Sequence, residues 1–197
     1  MLNKIILGSW VISAIALLLY SFTQVDLSLT LSQVSIWQGI QRVFQQIGYF
    51  NRPLSTVLFL GIIGIMFALY AWTMSLVRKK RVDANLLWKI IISISVILFF
   101  SYNAFSYDLF NYIFDAKIIT HYGQNPYEHK ALDYPGDPML SFMHWTHRTY
   151  PYGPVWLLIS VPLSFLGFGY FLLTFYLFKL LMAFSFIWCA ILIRRIA

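Results

Sequence analysis

The chain has 197 residues, of which 60% are hydrophobic, 19% aromatic and only 11% charged, and its formal net charge is +7. A soluble domain carries about 25% charged residues, so a soluble enzyme, a disordered tail and a nucleic-acid-binding domain are all excluded. The mean hydropathy of +0.72 and long apolar runs indicate an integral membrane protein instead. The first run, Ile5 to Phe22, follows Lys4 but is not followed by a small-residue cleavage pattern, so it reads as a membrane anchor. Between Thr23 and Arg52, Val34, Ile36, Ile40, Val43, Phe44 and Ile47 recur among Gln and Ser, which predicts an amphipathic helix on the outer membrane surface. Leu54 to Val77 and Leu86 to Phe105 are two further runs near the roughly 20 residues that cross a bilayer. Pro154 to Ile193 is long enough for two crossings, or for one crossing and a surface helix. The single cysteine, Cys189, lies in an apolar run and forms no internal disulfide or cysteine zinc cluster.

Basic residues decide that last choice. Arg78, Lys79, Lys80 and Arg81, with Lys89, place the loop between the second and third spans on the cytoplasmic side. Lys4 is then cytoplasmic and the Ser106 to Gly153 loop faces outward. A single final crossing puts eight basic residues inside (4, 78, 79, 80, 81, 89, 194 and 195) against five outside (42, 52, 117, 130 and 148). Two crossings would carry Arg194 and Arg195 outward. The expected final span is therefore about Tyr170 to Ile193, with Pro154 to Phe168 a juxtamembrane helix and the break at Pro162 and Gly167–Gly169. The expected organisation is 1–104 for three amino-terminal spans, 105–169 for the outward loop and juxtamembrane helix, and 170–197 for the fourth span. Both termini are expected in the cytoplasm of a multi-pass plasma-membrane protein.

Polar chemistry gathers in the outward loop. Five of the seven acids (Asp108, Asp115, Glu128, Asp133, Asp137) and all four histidines (His121, His129, His144, His147) lie between Ser106 and Gly153. Charged side chains near a membrane are costly, so the cluster marks a candidate site. Asp108, Asn111, Tyr112 and Asp115 stand at i, i+3, i+4 and i+7, on one face of a helix expected over Asp108 to Tyr122. The two aspartates are about 10 Å apart along its axis, too far for a retaining-glycosidase pair at about 5 Å. One general base remains compatible with that spacing, and a plain N-cap is the competing reading of Asp108. The histidine spacings do not match a His-x-x-x-His zinc pattern.

The order Asp108 and Tyr112, then Gly123-x-Asn125-Pro126-Tyr127, Asp137-Pro138, Trp145 and Pro151-Tyr152-Gly153-Pro154-x-Trp156-Leu157-Leu158 resembles the first luminal loop of the GT-C glycosyltransferases. The likeness, over about residues 95–195, is to polyprenol-phosphate-mannose-dependent α-1,6-mannosyltransferases and, more distantly, to the catalytic subunit of the first GPI mannosyltransferase. The resemblance implies an all-α integral membrane protein, the GT-C-like amino-terminal half, with four transmembrane helices, an outer amphipathic helix and a juxtamembrane helix. It implies that Asp108 is the catalytic base, that the donor is a polyprenyl-phosphate sugar, and that a glycan or glycolipid hydroxyl attacks the anomeric carbon with inversion. Members are typically more than twice this length, so the chain reads as an amino-terminal fragment or a shortened relative, and the alternative to an enzyme is a non-catalytic membrane subunit or binding module that keeps the loop. A second half or subunit would supply further spans.

The remaining site candidates carry two readings each. Asp115 positions the acceptor or a divalent cation, or it pairs with Lys117, Lys130 or Arg148. His147 and Arg148 contact the donor phosphate or a sugar hydroxyl, against phospholipid headgroup binding for Arg148. Asn111, Tyr112, Asn125, Tyr127 and Tyr152 complete the expected substrate-binding set, their aromatic rings serving sugar stacking or an interfacial belt. Lys179, inside a span, is a functional candidate or a snorkelling lysine. A transporter is disfavoured because the polar residues gather outside the bilayer rather than at its midplane.

Overall fold

The computed structural model describes residues 1–196, and every regular element among them is helical. They divide into two compact bodies: residues 1–25, 30–104 and 185–196 form one, residues 26–29 and 105–184 the other.

The first body is built on α1 (Leu2–Ser21), α2 (Ser35–Gln45), α3 (Arg52–Arg78) and α4 (Ala84–Phe99). Its core is Ile6, Leu76, Leu86 and Ile90. Polar ties between helices lie among the apolar contacts: Trp10 Nε1 donates to Thr73 Oγ1 at 3.1 Å, and the Tyr20 and Ser55 hydroxyls bond at 3.0 Å. Asn51 caps α3 through its side chain, with Pro53 at the second position. At the other end of α3 the chain turns in a Schellman motif: Arg81 N–H bonds to Leu76 O, and Lys80 N–H to Val77 O. Lys80, not glycine, takes the left-handed position at φ 54. Asp83 then opens α4 by accepting from Leu86 N–H at 3.0 Å.

The expected outer helix is α2, continued by a π-helical turn over Gln46–Phe50. Ile36, Trp37, Ile40 and Val43 on it are exposed, an apolar face of the kind that lies in a membrane interface.

The second body holds α5 (Asp108–Thr120), α6 (Pro154–Leu166) and most of α7 (Phe171–Ile196), whose last turns from Ser185 belong to the first body. Two 3-10 turns, Ala131–Asp133 and Pro138–Ser141, fold the loop between α5 and α6. α6 packs on α5 through Ser160 and Ser164, both buried, while Val155, Leu158 and Phe165 are exposed. Small residues inward and large apolar ones outward is the sorting expected of a helix facing lipid.

α1, α3 and α7 are long and apolar enough to cross a membrane. The run expected as a third span is shorter than its apolar stretch: α4 has 16 residues and ends at Phe99, not Phe105. Ser101 and Asn103 interrupt the run, and Tyr102 N–H is held at 2.9 Å by the Ser21 hydroxyl from α1, so the backbone leaves the helix. At 1.5 Å per residue α4 spans about 24 Å, less than the roughly 30 Å of a hydrocarbon core. The break before α7 falls at Gly167–Gly169 as expected, but not at Pro162. α6 runs through Pro162, which only lacks an N–H for the carbonyl four residues back, and ends at Gly167. There a Cβ would stand 1.9 Å from Thr174 Oγ1.

Gly48 offers a direct test of packing in the first body. A Cβ there would lie 1.8 Å from the backbone oxygen of Thr23, which cannot swing aside. Gly48→Ala is expected to destabilise the chain by about 1–3 kcal/mol, read as a lower thermal midpoint in detergent. Gly39→Ala, with open space around its Cβ position, serves as the control.

Candidate active site

α5 begins at Asp108, and Ser106 shapes that start. The Ser106 hydroxyl accepts from Asp108 N–H at 3.2 Å and donates to Asp108 Oδ2 at 3.1 Å. Ser106 thus takes the capping role and leaves the Asp108 carboxylate turned to solvent, 41% exposed. Its other oxygen, Oδ1, lies 3.9 Å from Arg148 Nη2. An open concavity of about 480 Å³ surrounds the pair, lined also by Tyr107, His144, Trp145 and Tyr152. Arg148 lies over the Trp145 ring, its guanidinium carbon 5.0 Å from the centroid, and His144 stacks on Tyr107 at 3.8 Å. Trp145 takes a left-handed backbone, φ 57, a conformation bulky residues rarely adopt.

Behind this concavity the face of α5 expected from the sequence is present, but buried. Asn111 and Asp115 are 6% and 8% exposed. Asn111 Oδ1 has no hydrogen-bond partner, and neither has the buried indole N–H of Trp156. Tyr112 packs edge-on against Tyr152 at 5.0 Å and Trp156 at 5.2 Å. Burial first, then the Tyr152 hydroxyl and the Asp108 carboxylate, raises the Tyr112 phenol well above its usual range.

The two motif turns brace each other. Asn125 closes an Asx turn onto Tyr127 N–H at 3.1 Å and donates to Glu128 at 2.8 Å. Tyr127 donates to the Tyr152 carbonyl at 3.2 Å, and Tyr150 N–H to the Pro126 carbonyl at 2.9 Å. Asn125 and Tyr127 therefore use their polar groups to fix the Pro151–Pro154 turn beside Asp108. His147 is exposed and outside the concavity. The structure brings Asp108, Arg148 and Tyr152 together around one space, with Asn111, Tyr112 and Asp115 behind it.

An ion pair with no marked sequence signal forms elsewhere on α5. Lys117, offered as a partner for Asp115, pairs instead with Asp137. Asp137 also accepts from the Tyr122 hydroxyl at 2.7 Å and from Met139 N–H at 2.9 Å. Burial pushes the Asp137 carboxyl up, but these donors outweigh it and hold it below the usual range. The same contact and burial raise the Tyr122 phenol to about 12. The pair joins residues twenty apart through a turn that helix periodicity does not foretell. Lys179, in α7, sits with its ammonium 5.9 Å from the Phe175 ring. Among the described residues no three His, Cys, Asp or Glu side chains converge on a point that could hold a metal ion.

Asp115 gives the site a pH signature. Burial raises its carboxyl to about 7, against the opposing pull of Arg148. The native state therefore keeps a proton that the unfolded chain releases near pH 4, and stability falls as pH rises from about 4 to 7. The loss on full ionisation is on the order of 4 kcal/mol. Asp115→Asn, neutral throughout, is expected to flatten this slope and to raise the thermal midpoint above wild type at about pH 8. An unchanged pH profile of melting in that variant would show that Asp115 does not titrate in this window.

No curated protein and no solved structure matches the chain significantly. One protein family does match, described as "Alpha-(1->6)-mannopyranosyltransferase, N-terminal domain", over residues 7–197. The match takes in α1 from Leu7 onward, α2 to α7 and the whole concavity around Asp108, and the chain belongs to this mannosyltransferase family as its amino-terminal domain.

Proposed function

We propose that the chain is the amino-terminal, active-site-bearing part of a GT-C-type membrane glycosyltransferase that moves a hexose, mannose in this family, from a polyprenyl phosphate to an acceptor hydroxyl. The observation that carries this reading is the pairing of an open carboxylate, Asp108, with Arg148 at 3.9 Å in one open concavity. The carboxylate takes the proton of the acceptor hydroxyl as its oxygen attacks the anomeric carbon. The bond from that carbon to the lipid phosphate breaks with inversion, and the phosphate leaves with the bonding pair. Arg148 meets the departing anion with charge-assisted N–H donors. A phosphate leaving group needs no acid catalyst, so one carboxylate suffices. Trp145 and Tyr152 line the space and offer ring faces to the sugar.

In this reading the concavity lies at the outer face and both termini in the cytoplasm, as the eight-to-five distribution of basic residues favours. α4 then crosses with α1, α3 and α7 by tilting little and drawing on flanking residues to reach the interfaces, and α6 lies along the membrane surface. The matched family is defined as an amino-terminal domain, which favours further spans, in the same polypeptide or in a partner, completing the donor groove.

The test is transfer from polyprenyl phosphate mannose by the chain with its completing spans. Asp108→Asn is expected to lower kcat by about 10²–10⁴-fold while leaving membrane insertion and the thermal midpoint intact. Full activity in that variant removes Asp108 as the base. Turnover by the isolated chain would instead show that no completing spans are required.

A further inference from the structure

The opposite side of α5 carries a second cavity. Lys117 follows Asp108 by nine residues, which at 100° per residue turns its side chain half a revolution away and about 14 Å along the axis. Ile113, Lys117 and Thr120 stand at i, i+4 and i+7 on this other face and line a cavity of about 350 Å³. That size falls within the roughly 300–1,000 Å³ of small-molecule sites. None of its lining residues lines the concavity around Asp108.

Its lining is of two kinds. The polar part is electrically balanced: the Lys117–Asp137 pair, and the Thr120 and Ser164 hydroxyls bonded to each other at 2.9 Å. Lys117 uses one of its three N–H groups on Asp137, and each hydroxyl keeps acceptor capacity. A phosphate brought here would face the Asp137 carboxylate directly behind the ammonium. A bare hydrocarbon would leave these donors and acceptors without partners, at a desolvation cost. Neutral hydroxyl groups, which both donate and accept, fit both restrictions.

The rest is apolar. Met139, Phe171, Phe165 and Phe168 are among these residues, and Phe165 and Phe168 are 68% and 73% exposed, so the cavity opens to the outside past their rings. Phe168 takes a left-handed backbone, φ 49, which a bulky side chain adopts only when its surroundings impose it.

We infer that this cavity is a binding site for a neutral glycolipid, its sugar hydroxyls on Lys117, Asp137, Thr120 and Ser164 and its hydrocarbon chain leaving past Phe168 and Phe165 into the bilayer. The site is separate from the Asp108 concavity and does not depend on the catalytic reading.

The test uses the chain in phosphatidylcholine nanodiscs with dodecyl mannoside carrying a diazirine in its alkyl chain. Photolabelling is expected on the peptides holding Met139 and Phe171. Unlabelled dodecyl mannoside displaces it, whereas dodecanol and dodecyl phosphate at equal concentration do not. Thr120→Val keeps the shape and removes one hydroxyl. Phe168→Gly removes the ring at the mouth and relieves the left-handed strain, so a lost label there is not lost folding. Each is expected to cut labelling at least fivefold with an unchanged thermal midpoint. Asp108→Asn is expected to label fully, which separates this site from the fate of the catalytic proposal. Displacement by dodecanol as strong as by the mannoside would reduce the cavity to a hydrocarbon slot. Preferential displacement by dodecyl phosphate would make it an anion site. Labelling confined to outward residues of α6 and α7, and equal in both variants, would make the signal ordinary lipid contact. Each of these three results overturns the proposal.

Discussion

Everything in the second body turns on a thirteen-residue helix that is polar on two faces. α5 carries Asp108, Asn111 and Asp115 along one side and Lys117 and Thr120 along the other. A helix of this kind cannot sit in lipid, where uncompensated polar groups cost several kcal/mol each. It must be wrapped by protein, and it is: its own Phe110, Phe114 and Ile118 are fully buried. The two 3-10 turns, the braced pair of proline turns and α6 together provide that covering. The loop between α5 and α6 is therefore long because α5 needs a coat, and the coat leaves one cavity on each face.

The long apolar helices of each body follow the reverse rule from a soluble protein. Buried positions include Ser13, Ser21, Ser55, Thr73, Ser160, Ser164 and Thr174, whereas Val57, Leu60, Phe67, Leu158 and Ile193 are exposed. Water would expel those apolar surfaces, but lipid does not, so helix association rests on close approach and hydrogen bonding between small polar residues. The Tyr20–Ser55 and Thr120–Ser164 hydroxyl pairs are instances. Gly48 and Gly167 serve the same end, because a methyl at either position would strike a neighbour.

The sequence made the long helices and the α5 start legible, because an apolar run and an i, i+3, i+4, i+7 pattern are local properties. It overestimated α4, since hydropathy does not register that Ser21 captures the backbone at Tyr102. Of its two expected breaks, the one at Gly167–Gly169 is where α6 stops, in tight contact between Gly167 and Thr174, whereas at Pro162 the helix continues. Asn125 and Tyr127 stood out in the pattern near the site, yet their hydrogen bonds go to the turns that frame it. The Lys117–Asp137 pair was the hardest to foresee: one partner is set by helical phase and the other by an irregular turn, and no periodicity joins them.

Access, rather than chemical type, separates the two aspartates of α5. In the proposed reading a base must touch the proton it takes; Asp115 is 8% exposed behind the concavity, whereas the Asp108 side chain is 41% exposed on it. Arg148 is held ready by the same logic. At 3.9 Å from Asp108 Oδ1 its N–H groups lie beyond hydrogen-bond range, and its position comes instead from the Trp145 face beneath it. A guanidinium stacked on a ring but not bound to a carboxylate keeps its donor fork free for an incoming phosphate. Had the pair closed to a bidentate bridge, Asp108 would have lost its accepting oxygens and the phosphate its partner. In the proposed reading, the gap of about one ångström beyond a hydrogen bond leaves the carboxylate and the cation available to two different parts of a substrate.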